Sequence, residues 1–183
     1  MHKILILGPQ GSGKGTQANI LADKLGIPAL SMGQLLREVK SGGSELGKTI
    51  GGIIDRGELV PDETALEVLK QRLDQEDAKD GYILDGYPRN AAQNETYKTF
   101  DQPTAMLIIT VPREESVNRI LERAKVEQRV DDTPEAINRR LDIYEGETKP
   151  IIDSYRDSGV VHDIDGIGTI EEISENINNA LGL

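Results

Sequence analysis

The chain has 183 residues, 32 acidic against 21 basic, for a net charge of −11. That balance argues against a broad nucleic-acid or anionic-membrane surface, and the absence of cysteine excludes disulfides and thiolate metal sites. Only two histidines are present and no apolar run approaches the roughly 20 residues of a membrane span, so the expectation is one soluble cytoplasmic domain with neither a zinc site nor a leader.

The apolar run Ile4-Leu5-Ile6-Leu7 predicts a first strand. It leads into Gly8-Pro9-Gln10-Gly11-Ser12-Gly13-Lys14-Gly15-Thr16, and then into a helical pattern carrying Ile20, Leu21 and Leu25. Strand, glycine-rich loop, lysine and helix is the layout of a phosphate-binding loop. Its glycines let consecutive backbone N–H groups turn inward around a phosphate, and the helix N-terminus adds partial positive charge. Lys14 is placed to reach the terminal phosphates of a nucleotide. The general motif has Ser or Thr directly after the lysine to hold Mg²⁺; here Gly15 stands there and Thr16 follows.

Pro28-Ala29-Leu30-Ser31 reads as a short strand, and Ser31 to Arg37 as the start of a helix. Ser41 to Gly57 carries six glycines; its apolar Leu46, Ile50, Ile53 and Ile54 suggest one or two short helices, and the glycine content suggests a mobile insert. Pro61-Asp62-Glu63 opens a helix with Leu66, Leu69 and Leu73 on one face. Tyr82-Ile83-Leu84 is a strand that ends in Asp85, followed by the turn Gly86-Tyr87-Pro88-Arg89. Ala105 to Ile109 is a continuous apolar run, as expected for a strand covered on both faces. Arg119 and Arg123 share a helix face, a like-charge pair that calls for something negative. Thr133-Pro134-Glu135 starts a helix with Ile137, Leu141 and Tyr144 inward. Gly159 to Ile164 is a last strand, and Thr169-Ile170-Glu171-Glu172 is a capping box that opens the final helix. Alternating strands and helices predict an α/β fold: a five-stranded parallel sheet flanked by helices, with ligands at the carboxyl ends of the strands.

Taken in order, GPQGSGKGTQ, SMGQLLRE, RGELVPDE, LDGYPRNAAQ, NRILER, EQRVDD, NRRLDIY and DGIGTIEE resemble the adenylate kinases, nucleoside monophosphate kinases of the P-loop class, over essentially the whole chain. The GKGT ending is characteristic of that family, which holds Mg²⁺ largely through water. The short spacing from Arg123 to Arg129 is similar to the short-lid form, which lacks a zinc-binding lid. The resemblance implies a core of 1–30, 61–122 and 133–183, a nucleotide-binding insert at 31–60 and a lid at 123–132. It implies a monomer that transfers the terminal phosphoryl group of ATP to AMP, with Mg²⁺ and without zinc.

Roles follow by resemblance. Gly11, Ser12, Gly13, Lys14, Gly15 and Thr16 wrap the ATP phosphates, Arg119 and Arg123 contact ATP, and Gly168 gives a backbone contact to its adenine. Arg37 and Arg89 grip the acceptor phosphate, with Gly86, Tyr87 and Pro88 shaping the turn; Glu58, Leu59 and Val60 line the acceptor base, and Gln93 reads its edge. Arg129 and Arg140 clamp the transferring group, and Asp85 orients the hydrated metal. The acceptor motif departs from the family's STGD: Ser31-Met32-Gly33-Gln34 puts Met32 where a threonine normally meets the base. UMP/CMP kinases carry an alanine there but an asparagine at the position of Gln93, which favours AMP. A UMP/CMP kinase and a catalytically weakened nucleotide-binding protein are the alternatives. Met32→Thr is expected to lower the KM for AMP.

Overall fold

Three strands form the centre of the fold because their apolar residues are continuous: β1 (His2–Leu7), β3 (Gly81–Asp85) and β4 (Ala105–Thr110). β2 (Ala29–Ser31) and β5 (Val161–Asp165) complete a five-stranded parallel sheet in the order β2-β3-β1-β4-β5. In this computed structural model residues 1–55, 60–127 and 133–183 are described.

Side chains alternate across the sheet. Leu5, Leu7, Leu84, Met106 and Ile108 face one core, covered by α2 (Met32–Ser41), α3 (Glu45–Asp55), α4 (Asp62–Leu73), α5 (Ala91–Lys98) and α8 (Lys149–Tyr155). Ile4, Ile6, Ile83, Leu107 and Ile109 face the other, covered by α1 (Lys14–Leu25) and α9 (Ile170–Leu181). α6 (Arg113–Glu127) and α7 (Pro134–Ile143) meet over a small cluster of Ile120, Ile137 and Leu141. α7 runs into α8 through one π-helical turn, Tyr144–Thr148. Pro150 accounts for the wider turn, since it has no N–H to give the carbonyl four residues earlier and its ring crowds that position.

The capping signals are met. Thr133 Oγ1 accepts from the Ala136 N–H, and Thr169 with Glu172 forms the reciprocal capping box. Two expectations are corrected. Ile20 is exposed, the inward face of α1 being Gln17, Ala18, Leu21 and Ala22. The last strand begins at Val161 and includes Asp165, with Gly159 in a left-handed turn before it. Within α3, Gly47 permits close packing: a Cβ there would lie 2.2 Å from the Val39 carbonyl oxygen of α2. No helix among the described residues is long and apolar enough to cross a membrane.

Candidate active site

The register of the sheet sets the site. Ile6 pairs with Asp85, so the end of β3 lies beside the loop that leaves β1. That loop turns into α1 at Gly13, whose φ of 90° suits glycine and whose missing side chain leaves the first N–H groups of the helix uncapped. The first turn of α1 carries no acidic residue, so its positive end is open to an anion. Gly11 is pressed against α6, where a Cβ would meet the Ser116 carbonyl oxygen at 2.6 Å. Lys14 Nζ donates to the Pro9 carbonyl at 2.9 Å. Desolvation draws its pKa below the usual lysine value; Asp85 opposes this, and Arg89 and Arg123 push the same way as burial.

Around this loop the fold assembles cations from four further segments. Arg37 comes from α2, Arg89 from the turn after β3, Arg119 and Arg123 from α6, and Arg139 and Arg140 from α7. With Lys14 they line one cleft of about 650 Å³, and Asp85 is the only acidic residue on its wall among the described residues. Burial lowers the pKa of Arg89; Asp85 opposes that shift, and Arg140 and Arg37 add to it by repulsion. A guanidinium stays charged at any ordinary pH, so these cations share a site that an anion would relieve. Arg119 Nε meanwhile holds Glu115 at 2.6 Å one turn back. Asp85 Oδ1 is buried without a hydrogen-bond partner. Such an orphaned carboxylate oxygen in a phosphate-binding cleft fits a hydrated divalent cation, because it can accept from a metal-bound water.

The cleft brings together Gly11, Gly13, Lys14, Gly15, Thr16, Arg37, Val60, Asp85, Gly86, Pro88, Arg89, Arg119, Arg123 and Arg140 as the sequence motifs suggested. Ser12, Met32, Tyr87, Gln93 and Gly168 do not line it. Ser12 is fully buried under the loop. Met32 is 3 % exposed and belongs to the main core, so the residue expected at the acceptor base packs inward in this structure. Tyr87 is buried, with its hydroxyl directed to the Gln93 carbonyl at 3.4 Å. The Gln93 amide is engaged by the protein itself: Oε1 accepts from the Arg89 N–H at 2.8 Å, and Nε2 donates to Asp62 Oδ1 at 2.6 Å. Glu58, Leu59 and Arg129 lie outside the described residues.

Sequence reasoning grouped Arg139 with the other arginines without giving it a role, and missed Tyr144 and Thr148 on the cleft wall. Arg139 was visible beside Arg140 as a charge doublet. Thr148 carried no local signal, because the π turn that presents it cannot be read from periodicity. Asp62 was read only as a helix start; in the fold it also gathers the side chains of Asn90 and Gln93.

Comparison with known proteins agrees with this geometry. The family model described as adenylate kinase matches residues 6–160. A protein named adenylate kinase from Thermobifida fusca (strain YX) is 42% identical over 187 residues, covering 98% of this chain and 97% of the relative. One of the same name from Stenotrophomonas maltophilia (strain R551-3) is 44% identical over 184 residues, covering 98% of each. Another, from Bifidobacterium longum (strain NCC 2705), is 44% identical over 180 residues, covering 96% of this chain and 97% of its own. With matches of this length and a cleft of this composition, the chain belongs to the adenylate kinase family.

Proposed function

We propose that the enzyme reversibly transfers the terminal phosphoryl group of ATP to AMP, giving two ADP. The observation that carries this reading is the concentration of Lys14, Arg37, Arg89, Arg119, Arg123, Arg139 and Arg140 on one cleft of a chain whose net charge is −11. Phosphoryl transfer needs in-line positioning and neutralisation of spread negative charge, with little covalent help from the protein. Gly11 to Thr16 cradle the donor phosphates, while Arg119 and Arg123 reach them from α6. Arg37 and Arg89, on the same cleft, hold the acceptor phosphate, and Arg140, whose charge is felt by Arg89, serves the transferring group. An acceptor phosphate oxygen attacks the terminal phosphorus, the new P–O bond forms, and the bond to the departing ADP breaks.

Arg129 joins Arg140 on the transferring group in this reading. Glu58, Leu59 and Val60 meet the acceptor base, and Gly168 the donor adenine. Asp85 holds waters of a Mg²⁺ ion that, when bound, neutralises phosphate charge. Segment 31–60 and segment 123–132 close over the core so that water does not compete with the acceptor. The protein acts as a monomer in the cytoplasm.

A coupled assay for ADP with ATP and each of AMP, CMP, UMP and GMP tests the acceptor. The highest kcat/KM is expected with AMP. A preference for CMP or UMP would reassign the acceptor, and no turnover with any of them would leave only nucleotide binding.

A further inference from the structure

Arg89 stands in the stretch between β3 and α5, where the backbone has no sheet or helix ladder to fix it. Its main chain is held by two side chains. The Arg89 N–H donates to Gln93 Oε1 at 2.8 Å, and the Arg89 carbonyl accepts from Thr148 Oγ1 at 2.8 Å. Its side chain is tied in turn, Nε donating to the Gly86 carbonyl at 2.7 Å. The Gln93 amide is itself oriented by Asp62, the first residue of α4, which accepts its Nε2 hydrogen at 2.6 Å. Asp62 also accepts from Asn90 Nδ2, at 3.2 Å to each carboxylate oxygen, while Asn90 Oδ1 caps α5 by accepting from the Gln93 N–H at 2.8 Å. Thr148 is buried, on the π turn after α7. Thus α4, α5 and the helical rod of α7 and α8 converge on one backbone unit.

Taking Arg89 as the ligand of the acceptor phosphate, as proposed above, we infer that Asp62 and Thr148 are positioning residues for it. Thr148 acts directly on its carbonyl, and Asp62 acts through Gln93. Neither touches the reacting atoms. A charged acceptor makes the Asp62 bonds stronger than those between neutral amides, and this fixes which end of the Gln93 amide faces Arg89. With both backbone groups held, the guanidinium waits in place before the nucleotide arrives; without them it must be ordered on binding, which weakens the acceptor alone.

The test is steady-state kinetics on Asp62→Leu and Thr148→Val, two replacements of similar shape that remove the acceptor and the hydroxyl, with AMP and ATP varied separately. Each is expected to raise the KM for AMP about three- to tenfold, the effect of one lost hydrogen bond, and to leave the KM for ATP within about twofold. Thr148→Ser restores the hydroxyl and is expected to return the AMP value to that of the parent. In an Arg89→Lys background the added effect of Asp62→Leu and of Thr148→Val is expected to vanish, because both act through Arg89. Equal rises in both KM values, a lower unfolding temperature with unchanged KM values, or full effects retained in the Arg89→Lys background would each overturn the proposal. If Arg89→Lys alone left the KM for AMP unchanged, the assignment of Arg89 to the acceptor phosphate would fall instead.

Discussion

Lys14 is a cation held where its charge is unfavourable. Its native pKa lies below the usual lysine value, so the unfolded chain binds that proton more tightly; the destabilisation is fully present below the native pKa and fades as pH rises toward the unfolded value. Lys14→Met is therefore expected to raise the urea midpoint of the free protein while lowering kcat by roughly a thousandfold, as loss of a phosphate-stabilising charge does. A lower midpoint would show that the hydrogen bond to Pro9 outweighs the desolvation. Met32 makes the opposite point about legibility. Motif comparison directed it to the acceptor base, yet Met32, Leu35, Leu36 and Val39 repeat at helical spacing, and that pattern marked the inward face of α2. Met32→Thr, which removes volume from the core and adds a hydroxyl there, is expected to destabilise the fold by about 1–3 kcal/mol in denaturant titration.

At the scale of elements, glycine was the least legible residue. Helix propensity alone predicts that Gly47→Ala should stabilise α3 by about 0.5–1 kcal/mol. A methyl 2.2 Å from the Val39 carbonyl cannot be accommodated without parting α2 from α3. The substitution is expected to destabilise by about 1–3 kcal/mol, measurable as a lower thermal midpoint. Strand order and the phosphate loop were readable because apolar runs and motif spacing are local signals. The partners of Asp62 were not, since they are brought to it from residues 28 and 31 positions away. The cation cleft was readable residue by residue from its arginines. That Asp85 is its only acid among the described residues required the fold, because the described glutamates near Arg119 and Arg123 in sequence leave the cleft wall to other residues.

For the whole molecule, tyrosines set the alkaline limit of stability. Burial pushes Tyr87 and Tyr144 up to about 12, and it raises Tyr82 and Tyr97 further. Tyr82 and Tyr97 share a hydrogen bond of 2.8 Å, and Tyr82 donates to Asp101 at 2.7 Å, which Lys3 also holds. All four native pKa values lie above the ordinary 10.0, so the unfolded chain loses its phenolic protons first. Their contribution is complete below pH 10 and disappears as pH rises through the native values. Circular dichroism at increasing pH is expected to show cooperative unfolding above pH 10, and Tyr82→Phe is expected to blunt its steepness. A midpoint independent of pH up to 12 would contradict this.

The π turn between α7 and α8 has a consequence for helix phase. Arg140 and Thr148 are eight positions apart. In a regular helix of about 3.6 residues per turn, two turns take about seven residues, so the eighth would point roughly 80° away. The wider turn takes up the surplus residue, and Arg140, Tyr144 and Thr148 all open on the same cleft. Making the turn regular at full length, as Pro150→Ala would allow, is expected to swing the Thr148 hydroxyl roughly 80° off the Arg89 carbonyl, and deleting one residue such as Gly146 as well would bring it back into phase. At this one point the count of residues in the turn aims the site.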